Sequence, residues 1–168
     1  MFDGTPLQPR TVRIATATDE RALFDLLMGL AEDNPDPASL PIAKPKIEKF
    51  VRAACTGNGG IAGVIDGPSG LVASVGVFLN QPWYTEAWTL STHWLYVDPA
   101  YRASGRLSAA LFKFALQHRR DLSRLSGMAL GLDISFVSKK RVAARTRLWR
   151  RYAPQHGAMF YVFPDEPQ

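Results

Sequence analysis

The segment Trp94-Leu95-Tyr96-Val97-Asp98-Pro99-Ala100-Tyr101-Arg102-Ala103-Ser104-Gly105-Arg106-Leu107 holds the residue types best suited to chemistry in this chain. An apolar strand runs through an Asp-Pro turn into a helix whose first turn carries a small residue, a glycine and two arginines. The leading N–H groups of a helix lack intrahelical partners and lie at the positive end of its dipole, so they bind anions. Gly105 lets a phosphate approach the backbone, and Arg102 and Arg106 would add charge-assisted contacts. The chemistry predicted is the cradling of a phosphate or pyrophosphate. The same letters also fit a plain helix start in which Ser104 is only a cap. The dinucleotide pattern G-x-G-x-x-G and the Walker pattern G-x-x-x-x-G-K-[ST] are both absent from this junction.

Two further residues suit proton transfer. His93 lies on the strand leading into the segment, and an imidazole with an ordinary pKa of about 6.5 is a competent base at neutral pH. Glu86 is the reserve. Each also fits a bland role, as a strand histidine bonded to a neighbour or a solvated loop acid. His93, His118 and His156 with the single Cys55 do not form a metal-ligand spacing, so no metal is expected. Cys55, beside Ala54 on the apolar side of a helix, reads as packing.

These residues need elements to hold them. Val12-Arg13-Ile14 reads as a first strand, and Thr18-Asp19-Glu20 opens a helix with Leu23, Leu26, Leu27 and Leu30 at helical spacing. Prolines 35, 37, 41 and 45 break the chain before a second helix with Ile47, Phe50, Val51 and Ala54 on one face. Ile61 to Ile65 and Leu71 to Leu79 flank the turn Asp66-Gly67-Pro68-Ser69-Gly70, which predicts a hairpin. A loop with Trp83, Tyr84 and Glu86 leads to a strand from about Trp88 to Val97. From Ser104 the spacing of Leu107, Ala110, Leu111, Phe114 and His118 predicts a helix of about five turns. Met128 to Ile134 reads as a strand, Ser138 to Tyr152 as a helix and Ala158 to Phe163 as a last strand. Antiparallel hairpins are expected early and a strand-helix-strand crossover late.

The whole chain sets the bounds. Its 168 residues, 46% hydrophobic and 21% charged, suit one domain with a core of its own. Residues 1–10 read as a flexible tail. One cysteine allows no intrachain disulfide, which fits a reducing compartment, and neither a signal peptide nor a membrane-spanning run is apparent. A cytoplasmic location is expected, with no membrane partner. The net charge of +5 is local: Lys139, Lys140, Arg141, Arg145, Arg147, Arg150 and Arg151 form a run free of acids, while the rest of the chain holds 13 basic and 15 acidic residues. That run reads as a solvated helix face, as cations for a terminal phosphate, or as a nucleic-acid patch. No nucleic-acid-binding motif accompanies it, so a nucleic-acid partner is not expected.

Val97-Asp98-Pro99-Ala100-Tyr101-Arg102 followed by Arg102-Ala103-Ser104-Gly105-Arg106-Leu107 resembles the hallmark of the Gcn5-related N-acetyltransferases, V-x-P-x-[YF]-R then [RQ]-x-x-G-x-[GA]. The order of elements resembles that family from Val12 to Phe163. The resemblance implies an α/β fold with a mixed, mostly antiparallel central sheet of six to seven strands flanked by about four helices. It implies acetyl-CoA as cosubstrate, with the backbone of Leu95, Tyr96 and Val97 on the pantetheine arm. Arg102, Ala103, Ser104, Gly105, Arg106 and Leu107 would hold the pyrophosphate, and Ser138 would add a further cofactor contact. Leu107 stands where the family has Gly or Ala, which predicts crowding of the phosphate loop. Trp149 stands where the family places a tyrosine acid, so Tyr152, one turn on, is the expected proton donor unless solvent serves. His93 falls where members often carry a glutamate.

The activity implied is transfer of an acetyl group to a primary amine of a small molecule or peptide. Trp83, Tyr84 and Asp33 are the expected acceptor contacts. The alternative is a catalytically weak or inactive module of the same fold that binds acyl-CoA, or nucleic acid through the basic helix. The exposed aromatic loop or the last strand would serve a homodimer.

Overall fold

The computed structural model describes residues 11–33, 42–103, 105–134, 147 and 151. The chain begins with strand β1 (Arg13–Ile14), a 3-10 turn at Ala17–Asp19, and helices α1 (Glu20–Asp33) and α2 (Lys44–Thr56). Strands β2 (Gly60–Gly67), β3 (Gly70–Asn80) and β4 (Thr89–Val97) follow, then a 3-10 turn at Pro99–Tyr101, helix α3 (Arg106–Ser126) and strand β5 (Gly131–Ile134). They form one sheet in the order β1-β2-β3-β4-β5. The first three pairings are antiparallel and β4 pairs with β5 in parallel. A parallel neighbour cannot be reached by a tight turn, and α3 supplies the crossover.

Alternation along the strands divides the core in two. Trp94 and Tyr96 of β4 join Phe78 of β3 beneath α1 and α2, with Leu23, Leu27 and Val51. Leu95 and Val97 face the other way, with Val75 and Val77, and are covered by Leu107, Leu111 and Ala115 of α3. Period-two strands between amphipathic helices leave each apolar face a partner, which is what the sequence spacing required.

The described sheet has five strands and the described α-helices number three, against the six to seven and about four expected. The expected helix Ser138 to Tyr152 and strand Ala158 to Phe163 lie outside the described residues, apart from Arg147 and Arg151, which are helical and exposed. Two boundaries differ from expectation for local reasons. α3 opens at Arg106 rather than Ser104, because Gly105 adopts φ 64°, a left-handed conformation that no α-helical residue has. β5 starts at Gly131 rather than Met128, because Ser123 Oγ donates to the Met128 carbonyl and Arg119 Nη1 to that of Leu130 at 3.0 Å. Those carbonyls are spent on α3. No helix of the described residues is long and apolar enough to cross a membrane.

The first strand is locked to the sheet by charge. Arg13 donates to both oxygens of Asp19, at 2.8 and 2.9 Å, and to both of Asp66, at 2.7 Å each. The Asp19 carboxylate, itself buried, also accepts the Thr16 N–H at 2.8 Å. The Arg13 guanidinium holds the Asp19 carboxyl far below the usual carboxylate range, more than its burial raises it. Asp19→Asn is expected to cost about 2 kcal/mol, since one charge-assisted pair is lost inside a part-buried network. The pKa is depressed on folding, so this stabilisation is complete above the unfolded value of about 4 and is lost as the pH falls below it. Thermal melts of the two proteins should therefore differ at pH 7 and converge as the medium is acidified towards pH 2. A gap that persists undiminished at low pH would contradict the assignment.

Candidate functional site

β4 carries an extra residue. Val77 of β3 pairs with Thr92 and the adjacent Gly76 pairs with Trp94, so His93 is left without a counterpart on β3. Such a bulge breaks the alternation and re-aims one side chain. The His93 ring lies between Phe50 of α2, at 4.8 Å between centroids, and Phe78 of β3, at 4.5 Å, while the residue keeps an exposed edge. Packing against these rings lowers its pKa from the ordinary value, and the positive charge of Lys46 lowers it further. His93 is thus neutral at pH 7, the form that accepts a proton.

Beyond the bulge, β4 runs into the turn expected to hold an anion. Leu95, Tyr96 and Val97 pair with β3, and among the described residues β4 pairs with β5 from Thr89 to Thr92. The Asp98 carboxylate caps the 3-10 turn by accepting the Ala100 N–H at 2.8 Å. The Gly105 N–H donates to the Arg102 carbonyl at 3.2 Å, so this amide is already used within the loop. The first turn of α3, from Arg106, then presents the leading N–H groups of a long helix. A Cβ built on Gly105 meets nothing within 4 Å among the described residues, which leave the space above the loop open. Ala103, Gly105 and Arg106 are exposed there, and Ser104 lies outside the described residues. The Leu107 side chain, expected to crowd the loop, is buried in the core with Leu111. Helix geometry turns it inwards, one position after the exposed Arg106.

Arg102 is placed differently from a solvent-facing cation. Its Nε donates to the Val97 carbonyl at 2.6 Å and its Nη2 to Asp33 at 2.5 Å, with the guanidinium 5.1 Å from the centre of the Tyr96 ring. Asp33, expected beside Trp83 and Tyr84 on the acceptor, is therefore at the opposite end of β4 from them. About seven residues of extended strand, or roughly 23 Å, separate the two ends. Trp83 is 95% exposed and stacks edge-on against Tyr84 at 5.6 Å. Glu86 is in the same loop, where Gln81 Nε2 donates to its carbonyl at 2.9 Å. His93 stands between these groups, part-way along the strand. Tyr152 and Ser138 lie outside the described residues.

Neither the bulge nor the Asp33, Tyr96 and Arg102 cluster was anticipated from the sequence. Among the described residues no group of three His, Cys, Asp or Glu side chains is arranged to hold a metal ion. Cys55 is buried, and burial pushes its thiol up to about 11, so it is protonated at neutral pH.

No family model matches the sequence, and no curated protein matches it. Solved structures do match. An integron cassette protein from the mobile metagenome of Cole Harbour Salt Marsh superposes with a TM-score of 0.65 at 18% identity, over 94% of this chain and 92% of that one. An aminoglycoside acetyltransferase from an uncultured soil metagenomic sample gives 0.60 at 13% identity, over 92% and 97%. A ribosomal-protein-alanine N-acetyltransferase from Brucella melitensis biovar Abortus gives 0.58 at 15% identity, over 92% and 99%. The chain shares the fold of these proteins, two of which are named as acetyltransferases. In this acetyltransferase fold the segment Val97 to Leu107 joins β4 to α3, in agreement with the motif on which the resemblance rested.

Proposed function

We propose that this protein is an N-acetyltransferase that moves the acetyl group of acetyl-CoA to a primary amine of a small molecule or peptide. The observation that carries this reading is the run from the bulged β4 through the Asp98 turn to the Gly105 cap of α3, within an acetyltransferase fold. The open space above Gly105 suits a pyrophosphate held by the first N–H groups of α3, with Arg106 beside it. The backbone of Leu95 to Val97 is the strand edge for the pantetheine arm. Acetyl-CoA supplies the activated acyl group as a thioester.

The chain's own task is to hold that thioester beside a deprotonated amine. His93, neutral and partly shielded, takes a proton from the acceptor's ammonium, directly or through water, and the free amine then attacks the thioester carbonyl. It is preferred to Glu86, which stands in an exposed loop before β4 begins. Tyr152 is the donor to the leaving thiolate. The aminoglycoside and ribosomal-protein-alanine acetyltransferases that share the fold are named for amine-bearing acceptors of the two classes proposed. Trp83 and Tyr84, with faces open to solvent, offer a stacking surface at the acceptor side.

Calorimetry with acetyl-CoA and CoA, with NADP as a phosphate-bearing control, tests the reading without an acceptor. Micromolar binding of both acetyl-CoA and CoA and none of NADP is expected. Absence of CoA binding would overturn it. With an acceptor from a screen of aminoglycosides and alanine-terminated peptides, kcat should fall as the pH drops through a midpoint below 6.5, where His93 becomes protonated. His93→Phe should lower kcat by about a hundredfold and remove that limb of the profile. An unaltered kcat and profile would eliminate His93 as the base, and Tyr152→Phe tests the acid in the same assay.

A further inference from the structure

Asp33 is the last residue of α1, and α1 has no basic residue in its last turn. A carboxylate at a helix C-terminus faces the negative end of the dipole, an unfavourable place unless a cation is brought to it. Here the cation comes from Arg102, 69 positions away in the loop before α3. The Tyr96 hydroxyl donates to the same carboxylate oxygen at 3.3 Å, from beneath the Arg102 guanidinium. α1 makes room for that hydroxyl: a Cβ on Gly29, one turn before Asp33, would lie 3.3 Å from it. Burial, and then the charge of Asp33, push the Tyr96 hydroxyl up to about 12, so it remains a donor at neutral pH.

Arg102 is correspondingly committed. One nitrogen is spent on the Val97 carbonyl, a second on Asp33, and one face lies over the Tyr96 ring. We propose that Asp33 is a positioning residue for the loop: by holding Arg102 against β4, it fixes the turn from Asp98 to Leu107 and thereby sets the affinity for the coenzyme. Arg102 then acts as a strut between α1, β4 and the loop rather than as a phosphate ligand. Its carbonyl accepts the Gly105 N–H, so the strut reaches the residue that caps α3. The link to the coenzyme rests on the acetyl-CoA reading above, whereas the strut does not.

Hydrogen exchange on the unliganded protein, paired with calorimetry, separates the two. In Asp33→Asn, amide exchange over residues 98–107 should rise roughly threefold or more while β2 and β3 exchange as in the parent protein. Acetyl-CoA affinity should fall roughly fivefold, consistent with one part-exposed ion pair. With an acceptor, KM for acetyl-CoA should rise by a similar factor at constant kcat, and Asp33→Glu should recover most of both losses. Unchanged exchange over 98–107 in Asp33→Asn would overturn the strut. Raised exchange with unchanged acetyl-CoA affinity would overturn its link to the coenzyme. If the parent protein binds no acetyl-CoA, the functional reading fails, and the exchange comparison still decides the strut.

Discussion

Gly105→Trp is expected to weaken acetyl-CoA binding by about a hundredfold or more, an effect near 3 kcal/mol. Two physical terms contribute. The indole would occupy the space above the loop, where a Cβ on Gly105 has no neighbour within 4 Å among the described residues, and keep a pyrophosphate from the first amides of α3. Losing two or more charge-assisted hydrogen bonds of about 1.5 kcal/mol each accounts for the magnitude. The second term is backbone strain, because a side chain at φ 64° costs of order 1 kcal/mol or more. Gly105→Ala separates them. It imposes the strain with almost no added bulk, so it should retain most of the affinity while melting at a slightly lower temperature than the parent protein. Calorimetry at matched fractions of folded protein reads both variants. Wild-type affinity in Gly105→Trp would place the pyrophosphate elsewhere.

The largest loss of stability is expected at Gly76. A Cβ there would lie 2.4 Å from ring atoms of Trp94, well inside van der Waals contact. The ring cannot move aside cheaply. Its Nε1 donates to the Oγ of the fully buried Ser74 at 3.0 Å, and its other side packs against Phe78 at 5.7 Å. Gly76→Val therefore forces either overpacking or an unsatisfied buried hydroxyl, about 3 kcal/mol in all. For a domain of this size that corresponds to a fall in melting temperature of roughly 6 to 12 °C. A melting temperature within a degree of the parent protein would show that the Trp94 ring has room the structure does not provide. Because Gly76 is opposite the bulge, the same variant should also disturb His93.

Much of this architecture is legible in the sequence because it depends on neighbours. The hairpin turn at Asp66 to Gly70, the period-3.6 stripe of α3 and the apolar alternation of β4 are decided within a few residues of chain. The turn proposed to bind the pyrophosphate is legible for the same reason: Val97, Pro99, Arg102 and Gly105 are close enough in sequence to act through local backbone geometry. The side-chain directions at its edge were not. Arg102 reads in sequence as a free cation and Leu107 as an obstruction, yet one is tied to α1 and the other is buried in the core.

The pattern of residues alone determined that the chain makes a mixed sheet with a helical crossover, and that an apolar strand meets a glycine-capped helix start. Those are properties of local propensity and periodicity. Tertiary structure decided that His93 is the unpaired residue of a bulge, because register belongs to two strands at once and neither states it alone. It likewise decided that Asp33 pairs with Arg102 in the loop before α3. The contact joins groups 69 positions apart, and its geometry exists only once α1 has packed across β4.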